Sequence, residues 1–389
     1  MLIHSLFYSE EKLMLNKPSP TGKYAVGTFT YTVYNDREEL LCPGTKRSIP
    51  ARVYYPVSKE SVVGMDKARY MSRAIAEGLK KVMHAPIDYD KMEASGENVS
   101  ECYENAPRIE GIKFPLVVFS HGLASYIEAN SFLLIDIASH GYVVISVGHP
   151  YDGSNTKLDD GTVIPFYKKT MQKQYDPYLP GVFKLLKLTC SKAPEKERAE
   201  KFEVLQKQYC KVLIDRIEEW KKDTLAAVKY AKENLNDLID FEPGIAVAGH
   251  SLGGATAYEL CLDYEEFVCG ANIDGAPFGN NAGKILRKPF LQLCCKANAP
   301  VETRYLVDHT KIVYKAEFDK MQHAFFSDMK HMMKPSVISG KLDPDFMHEN
   351  VCKLHLELFD TYLKKIKDHP ELESKEAITI TEYQPDITD

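Results

Sequence analysis

An α/β protein with a mostly parallel central sheet and helices on both faces is the fold class this sequence predicts, from three observations. Short apolar runs recur at 115–120, 142–147, 244–248, 270–273, 289–296 and 311–318, with longer spans between them. Runs of this kind, alternating with helices, are strands buried on both faces of a parallel sheet. Between Ile245-Ala-Val-Ala248 and the small-residue stretch starting at Gly254-Ala255 stands Gly249-His250-Ser251-Leu252-Gly253. This G-x-S-x-G turn joins a strand to a helix so sharply that the serine hydroxyl stands exposed, and its glycines admit strained angles and close packing. Finally, 389 residues of which 44% are hydrophobic can bury a sizeable core. Large α/β chains of this length often run as one domain with insertions.

Taken in order, residues 23–34 alternate, with Tyr24, Val26, Thr28, Thr30, Thr32 and Tyr34 on one face. With 49–56 they predict an antiparallel strand pair at a sheet edge. Ala68, Met71, Ile75, Leu79 and Val82 fall at helical spacing within 66–84, and Lys80 and Lys81 lie beside that apolar face. Residues 86–110 are polar and irregular and predict a surface loop. From 114 the rhythm becomes strand, helix, strand: 115–120, a helix over 127–139 stopped by Gly141, and 142–147. Turn signals, prolines and lysines over 151–197 predict an insertion at the carboxyl side of a strand. Residues 198–236 read as one long amphipathic helix, 346–367 as another, and 369–389 as a peripheral acidic tail. The expected organisation is a single domain over 1–389, with 60–110 and 151–197 inserted near the active site.

Composition excludes several classes of function. The net charge of −6 gives no electrostatic case for nucleic acid. No apolar run approaches the about 18 residues of a membrane span. The N-terminal stretch has no basic region and is cut short by Glu10 and Glu11, a poor signal peptide, so a cytoplasmic location is expected. Nine irregularly spaced cysteines read as reduced thiols packed like small hydrophobes. There is no C-x-x-C pair, and His348-Glu349 is followed by Cys352 where a zincin needs histidine. Neither a metal nor another cofactor is expected.

A serine hydroxyl is a weak nucleophile at neutral pH and needs a base, an orienting acid and oxyanion donors. In the α/β-hydrolase fold the acid and then the histidine follow the serine along the chain. His323 comes five residues after the 311–318 strand, in a loop at its carboxyl end, where such sheets present functional groups. His309 precedes that strand, at the opposite end of the sheet. His331 lies in a Met-rich helical stretch, and His348 and His355 belong to the C-terminal helix. For the acid, Asp274 ends the strand at 270–273, whereas Glu302 or Asp308 would follow the next strand. One oxyanion donor is the N–H of Leu252, at a helix N-terminus. The second comes from Ser120-His121-Gly122-Leu123, with the Leu123 amide placed after the strand.

Pro115-Leu-Val-Val-Phe-Ser-His-Gly-Leu123, Ala138-Ser-His-Gly141 and Gly249-His-Ser-Leu-Gly-Gly-Ala-Thr256 resemble the plasma-type (type II) platelet-activating-factor acetylhydrolases, as does His323 with Phe325, Ser327 and Asp328 nearby. The resemblance covers roughly residues 45–335. It implies an α/β-hydrolase fold with Ser251 as nucleophile, His323 as base, and Leu123 and Leu252 as oxyanion amides. The family's acid lies at the end of the strand after the elbow helix, which implies Asp274. It also implies metal-free hydrolysis of short or oxidised acyl esters, a small-molecule ester as substrate, and peripheral lipid contact. The chain departs from the family in lacking the plasma enzyme's secretory signal and in the sequence of its 151–197 insertion. A serine peptidase or acyltransferase on the same fold, and a non-catalytic binding protein of that fold, are the alternative readings. Acyl length, alcohol and oligomeric state are left open.

Overall fold

The computed structural model of the chain describes residues 17–85, 87–169, 184, 187–333 and 335–388. The start of the chain, read as a poor signal peptide, and residues 170–183, 185 and 186 of the expected insertion lie outside the described residues. In chain order the strands are β1 (Ala25–Glu38), β2 (Lys46–Val57), β3 (Lys67–Arg69), β4 (Val99–Glu104), β5 (Phe114–Ser120), β6 (Val143–Val147), β7 (Asn155–Lys157), β8 (Val163–Pro165), β9 (Ile239–His250), β10 (Phe267–Ile273), β11 (Phe290–Cys295), β12 (Val313–Phe318) and β13 (Ile378–Tyr383). The α-helices are α1 (Arg73–Met83), α2 (Tyr89–Ala94), α3 (Ser131–Ser139), α4 (Glu195–Tyr209), α5 (Lys211–Asn234), α6 (Leu252–Asp263) and α7 (Pro344–Tyr362).

One sheet runs in the order β13-β12-β11-β10-β9-β5-β6-β2-β1-β4-β3, and β7 with β8 forms a separate hairpin. The six strands from β12 to β6 are parallel. They are short apolar runs whose successive side chains point to opposite faces. Thus Val117 and Phe119 join a core with α3 and α7. Leu116 and Val118 join another with α5 and α6. Burying each such side chain contributes about 1.5–3 kcal/mol, so a strand apolar on both sides is stable only between two helical layers. This is the α/β-hydrolase architecture.

Several elements differ from the sequence expectation. The antiparallel β1–β2 pair is not at the edge, because β4 pairs in parallel with β1 and β3 antiparallel with β4. The 86–110 stretch therefore holds a helix and a strand; β4 buries Ser100 and Cys102 on its inner side, and this polar alternation hides it. The predicted 198–236 helix is two helices, because Cys210 leaves helical geometry at φ −123° and ψ 25°. The break lets α4 bury Phe202 with Val301 while α5 turns Leu213, Ile217 and Trp220 toward Leu252. The acidic tail supplies β13, antiparallel to β12. The helix expected over 66–84 runs only Arg73–Met83, because Lys67–Arg69, with Ala68, form β3; elsewhere the boundaries shift by a few residues. Helix α1 starts at the Ser72 cap, whose hydroxyl accepts from the Ile75 amide. Helix α7 starts at the Asp343 cap, with Pro344 in its first turn.

Candidate active site

Strand order brings the site together. β9 lies between β5 and β10, with Gly249 level with Ser120 and His250 level with Ile273. The loops leaving these three strands therefore emerge side by side at the carboxyl edge, carrying Leu123, Ser251 and Asp274. β12 lies two strands beyond β10, and the loop after it brings back His323.

Ser251 sits at φ 56° and ψ −122°, a region that costs a non-glycine residue about 1–3 kcal/mol. The strain is held by Ser251 N–H donating to the Ile273 carbonyl at 2.8 Å and by the Gly254 amide donating to the Ser251 carbonyl at 3.0 Å. A side chain at position 253 would overlap the Ser120 carbonyl oxygen, and one at 249 would overlap the Gly253 backbone. Both glycines are thus required by close approach.

The Ser251 hydroxyl lies 2.9 Å from His323 Nε2, and His323 Nδ1 lies 2.8 Å from Asp274 Oδ2. Asp274 has no exposed side-chain surface, whereas His323 is 44% exposed. The buried carboxylate is satisfied by the Cys295 amide on Oδ1 at 2.6 Å and by Asn298 Nδ2 on Oδ2 at 2.8 Å. Surrounded by donors, Asp274 acts as acceptor, so Nδ1 of His323 carries the proton and Nε2 is free to accept from Ser251. Glu302, the other acid position, is also buried, but its carboxyl pairs with the Gln292 amide. Burial, reinforced by the neighbouring Asp274 charge, pushes Glu302 well above the usual carboxylate range. Asp308 is taken by Arg304 and Lys196.

Two supports of the His323 loop were not anticipated from the sequence. His250 donates from Nε2 to the His323 carbonyl at 3.0 Å. Burial pushes its imidazole down to about 4, with His323 acting in the same direction, so it stays neutral. Asp328 is buried and accepts from the Ser131 hydroxyl at 2.7 Å and the Phe132 amide at 3.3 Å, in the first turn of α3. Burial holds its carboxyl well above the usual range. The only sequence sign of either role is proximity to Ser251 or His323 along the chain.

The side chains of Leu123 and Leu252 are anchored in an apolar cluster with Cys210, Leu213, Ile217, Trp220, Ala255 and Phe278. A side chain at Gly122 would stand 3.2 Å from Ser251 Cβ, so the loop bearing the Leu123 amide lies directly against the serine. The Leu252 N–H is the first of α6 and has no partner within the helix.

His309, at the start of β12, is buried and bonds the Lys311 carbonyl at 2.7 Å. His331, His348 and His355 are buried in packing around α7. Asp136, His348 and Cys352 gather with donor atoms within 4.8 Å of one another, the one such grouping among the described residues. Asp136 is also bonded by the Thr21 amide at 2.6 Å and the Thr21 hydroxyl at 2.9 Å. All nine cysteines are free thiols. Among the described residues no helix is long and apolar enough to cross a membrane.

Comparison with known proteins extends these findings. A ferulic acid esterase from Streptomyces cinnamoneus superposes with a TM-score of 0.66 over 93% of this chain and 98% of its own, at 17% identity, which establishes a shared fold. A platelet-activating factor acetylhydrolase from Bos taurus is 24% identical over 343 residues, 85% of this chain and 68% of that protein. One from Canis lupus familiaris is 27% identical over 268 residues, 66% of this chain, and the match spans 54% of that relative's length. The family model for platelet-activating factor acetylhydrolase, isoform II, matches residues 9–380. A match that runs from before β1 into β13 and through all the candidate site residues places the chain in the platelet-activating factor acetylhydrolase isoform II family.

Proposed function

We propose that this chain is a serine carboxylic-ester hydrolase acting on short, acetyl-like acyl esters. The observation that carries the reading is the unbroken chain from Ser251 Oγ through His323 to the buried Asp274, with links of 2.9 and 2.8 Å. Ser251 Oγ attacks the ester carbonyl as its proton passes to His323 Nε2. Asp274 keeps Nδ1 protonated and stabilises the imidazolium. The Leu123 and Leu252 amides receive the carbonyl oxygen as it gains charge, each such donor being worth about 2.7–4 kcal/mol in the transition state. The tetrahedral species collapses, His323 protonates the departing alcohol, and acyl-Ser251 remains. Water, deprotonated by His323, then releases the carboxylic acid and restores the serine.

The names of the relatives support phospholipid acetyl esters as the first natural substrates to try. Ser251→Ala is expected to abolish hydrolysis of an aryl acetate and labelling by an organophosphate; retained labelling defeats the reading. A panel varying acyl length at fixed alcohol, then head group at fixed acyl chain, assigns the substrate.

A further inference from the structure

Behind the candidate oxyanion loop lies a buried hydrogen-bond chain that the proposed reaction does not itself use. The Gly122 carbonyl and the Leu123 N–H belong to one peptide unit, and in a trans peptide they point in opposite directions. Whatever holds the carbonyl therefore aims the N–H. The Gly122 oxygen accepts from His121 Nδ1 at 2.7 Å and from the Ser125 amide at 3.1 Å. A carbonyl has no proton to give, so His121 Nδ1 carries one. The other ring nitrogen, Nε2, lies 3.4 Å from the His149 backbone N–H and accepts from it. Only the neutral Nδ1–H tautomer satisfies both contacts. Burial, assisted by His149, pushes this imidazole down to about 3, which keeps that form at any working pH.

His149 is itself immobile. Its Nδ1 bonds Asp223 Oδ2 at 3.0 Å, its Nε2 lies 3.2 Å from the Ser120 hydroxyl, and its ring stacks on Trp220 at 3.9 Å and 4°. Arg47 grips Asp223 with two bonds, of 3.0 and 2.6 Å. Ser120, His121, His149, Asp223, Trp220 and Arg47 are all buried. Ser120, His149 and Asp223 thus repeat the hydrogen-bond pattern of the exposed site where no substrate reaches, which leaves a positioning role.

We propose that His121, locked by the chain His149–Asp223–Arg47, is the positioning residue that aims the Leu123 amide at the developing oxyanion. The proposal rests on the ester-hydrolase reading, and the Ser251→Ala control separates the two. If Ser251→Ala still hydrolyses an aryl acetate, that reading fails whatever His121 does. With Ser251→Ala inactive, three variants are compared for kcat, KM, affinity for an arylboronic acid that mimics the tetrahedral oxyanion, and thermal midpoint. His121→Leu removes the donor to Gly122. His121→Asn replaces it with an amide N–H at the position of Nδ1. Ser120→Ala removes a single buried hydroxyl and tests the outer link should His121→Leu not fold. The expected result for His121→Leu is a fall in kcat of about 10–100-fold, up to the loss seen on deleting one oxyanion donor. Boronate affinity falls by the same factor, KM stays within about twofold, and His121→Asn recovers most of both. Ser120→Ala shows a smaller loss of the same kind. The proposal is overturned if kcat and boronate affinity stay within twofold of the parent in folded His121→Leu. It is equally overturned if His121→Asn is no better than His121→Leu, or, where that variant does not fold, if Ser120→Ala leaves both unchanged.

Discussion

Asp274 and Glu302 are two buried carboxyls with opposite characters, and the difference is set by what surrounds each one. Asp274 accepts from the Cys295 amide, Asn298 and His323, whereas Glu302 has one amide partner and a negative neighbour. Environment thus surrounds one with donors and pushes the other toward its neutral form. Asp274→Asn is expected to lower turnover on the order of 10⁴-fold, because the amide imposes the wrong His323 tautomer. Glu302→Gln is expected to change it by less than about tenfold, and steady-state kinetics on one aryl ester checks both. Strand pattern alone offers both, since each carboxyl follows a strand, and only the family resemblance points to Asp274. The strand order, with β10 beside β9, gives the physical reason. His250 was overlooked for a related reason: inside a G-x-S-x-G turn its position is unrestricted, and its bond to the His323 carbonyl spans 73 residues.

At the scale of elements, the serine turn was legible because its constraints are local. A strand, a tight glycine turn and a helix occupy consecutive residues, so their requirements are written consecutively. Gly253→Ala forces a methyl group into the Ser120 carbonyl and is expected to cost both thermal stability and kcat, measured by calorimetry and steady-state kinetics. Helix α5 and strand β4 were less legible. The amphipathic stripe of 198–236 continues through Cys210, and nothing local announces a break whose effect is to let two helices cover different surfaces. Strand β4 buries a serine and a cysteine, so its alternation is nearly silent on a hydrophobicity scale. Helix α5 also anchors the 149–152 loop, with Arg216 and Trp220 on Asp152 and Asp223 on Arg47 and His149. Arg47→Met is expected to destabilise the fold by about 3–5 kcal/mol in denaturant unfolding, because it leaves the buried Glu39 without its cation and takes one of two arginines from Asp223.

Across the whole molecule, buried imidazoles make the fold sensitive to acid. Burial pushes His121 down to about 3, and His250 and His355 down to about 4. The unfolded chain protonates these histidines near their ordinary pKa of about 6.5, while the folded chain does not until pH 3–4. The unfolded state therefore binds more protons over that window, and stability falls as pH drops through it. Asp223 adds to the loss at still lower pH: burial raises its carboxyl, but Arg47 and His149 outweigh that and hold it far below the usual range. Glu302 and Asp328, whose carboxyls burial raises, act in the opposite sense over the same window, so the histidine share is read by difference: His355→Phe, which cannot take up that proton, is expected to lose less stability than the parent between pH 6.5 and 4 in denaturant unfolding. Dialysis against EDTA is expected to leave ester hydrolysis unchanged; a loss restored by zinc would instead assign a metal to Asp136, His348 and Cys352. The sequence by itself determined the layered parallel sheet, the serine turn, the histidine after a late strand and the family resemblance. Each of these is fixed by residue types over a short span or by order along the chain. The tertiary structure decided which acid meets His323, which strand ends the sheet, and how two buried histidines brace the loop beside Ser251. Those outcomes depend on strand order and on contacts between residues far apart in the chain, where distance and burial, rather than residue type, select the partner.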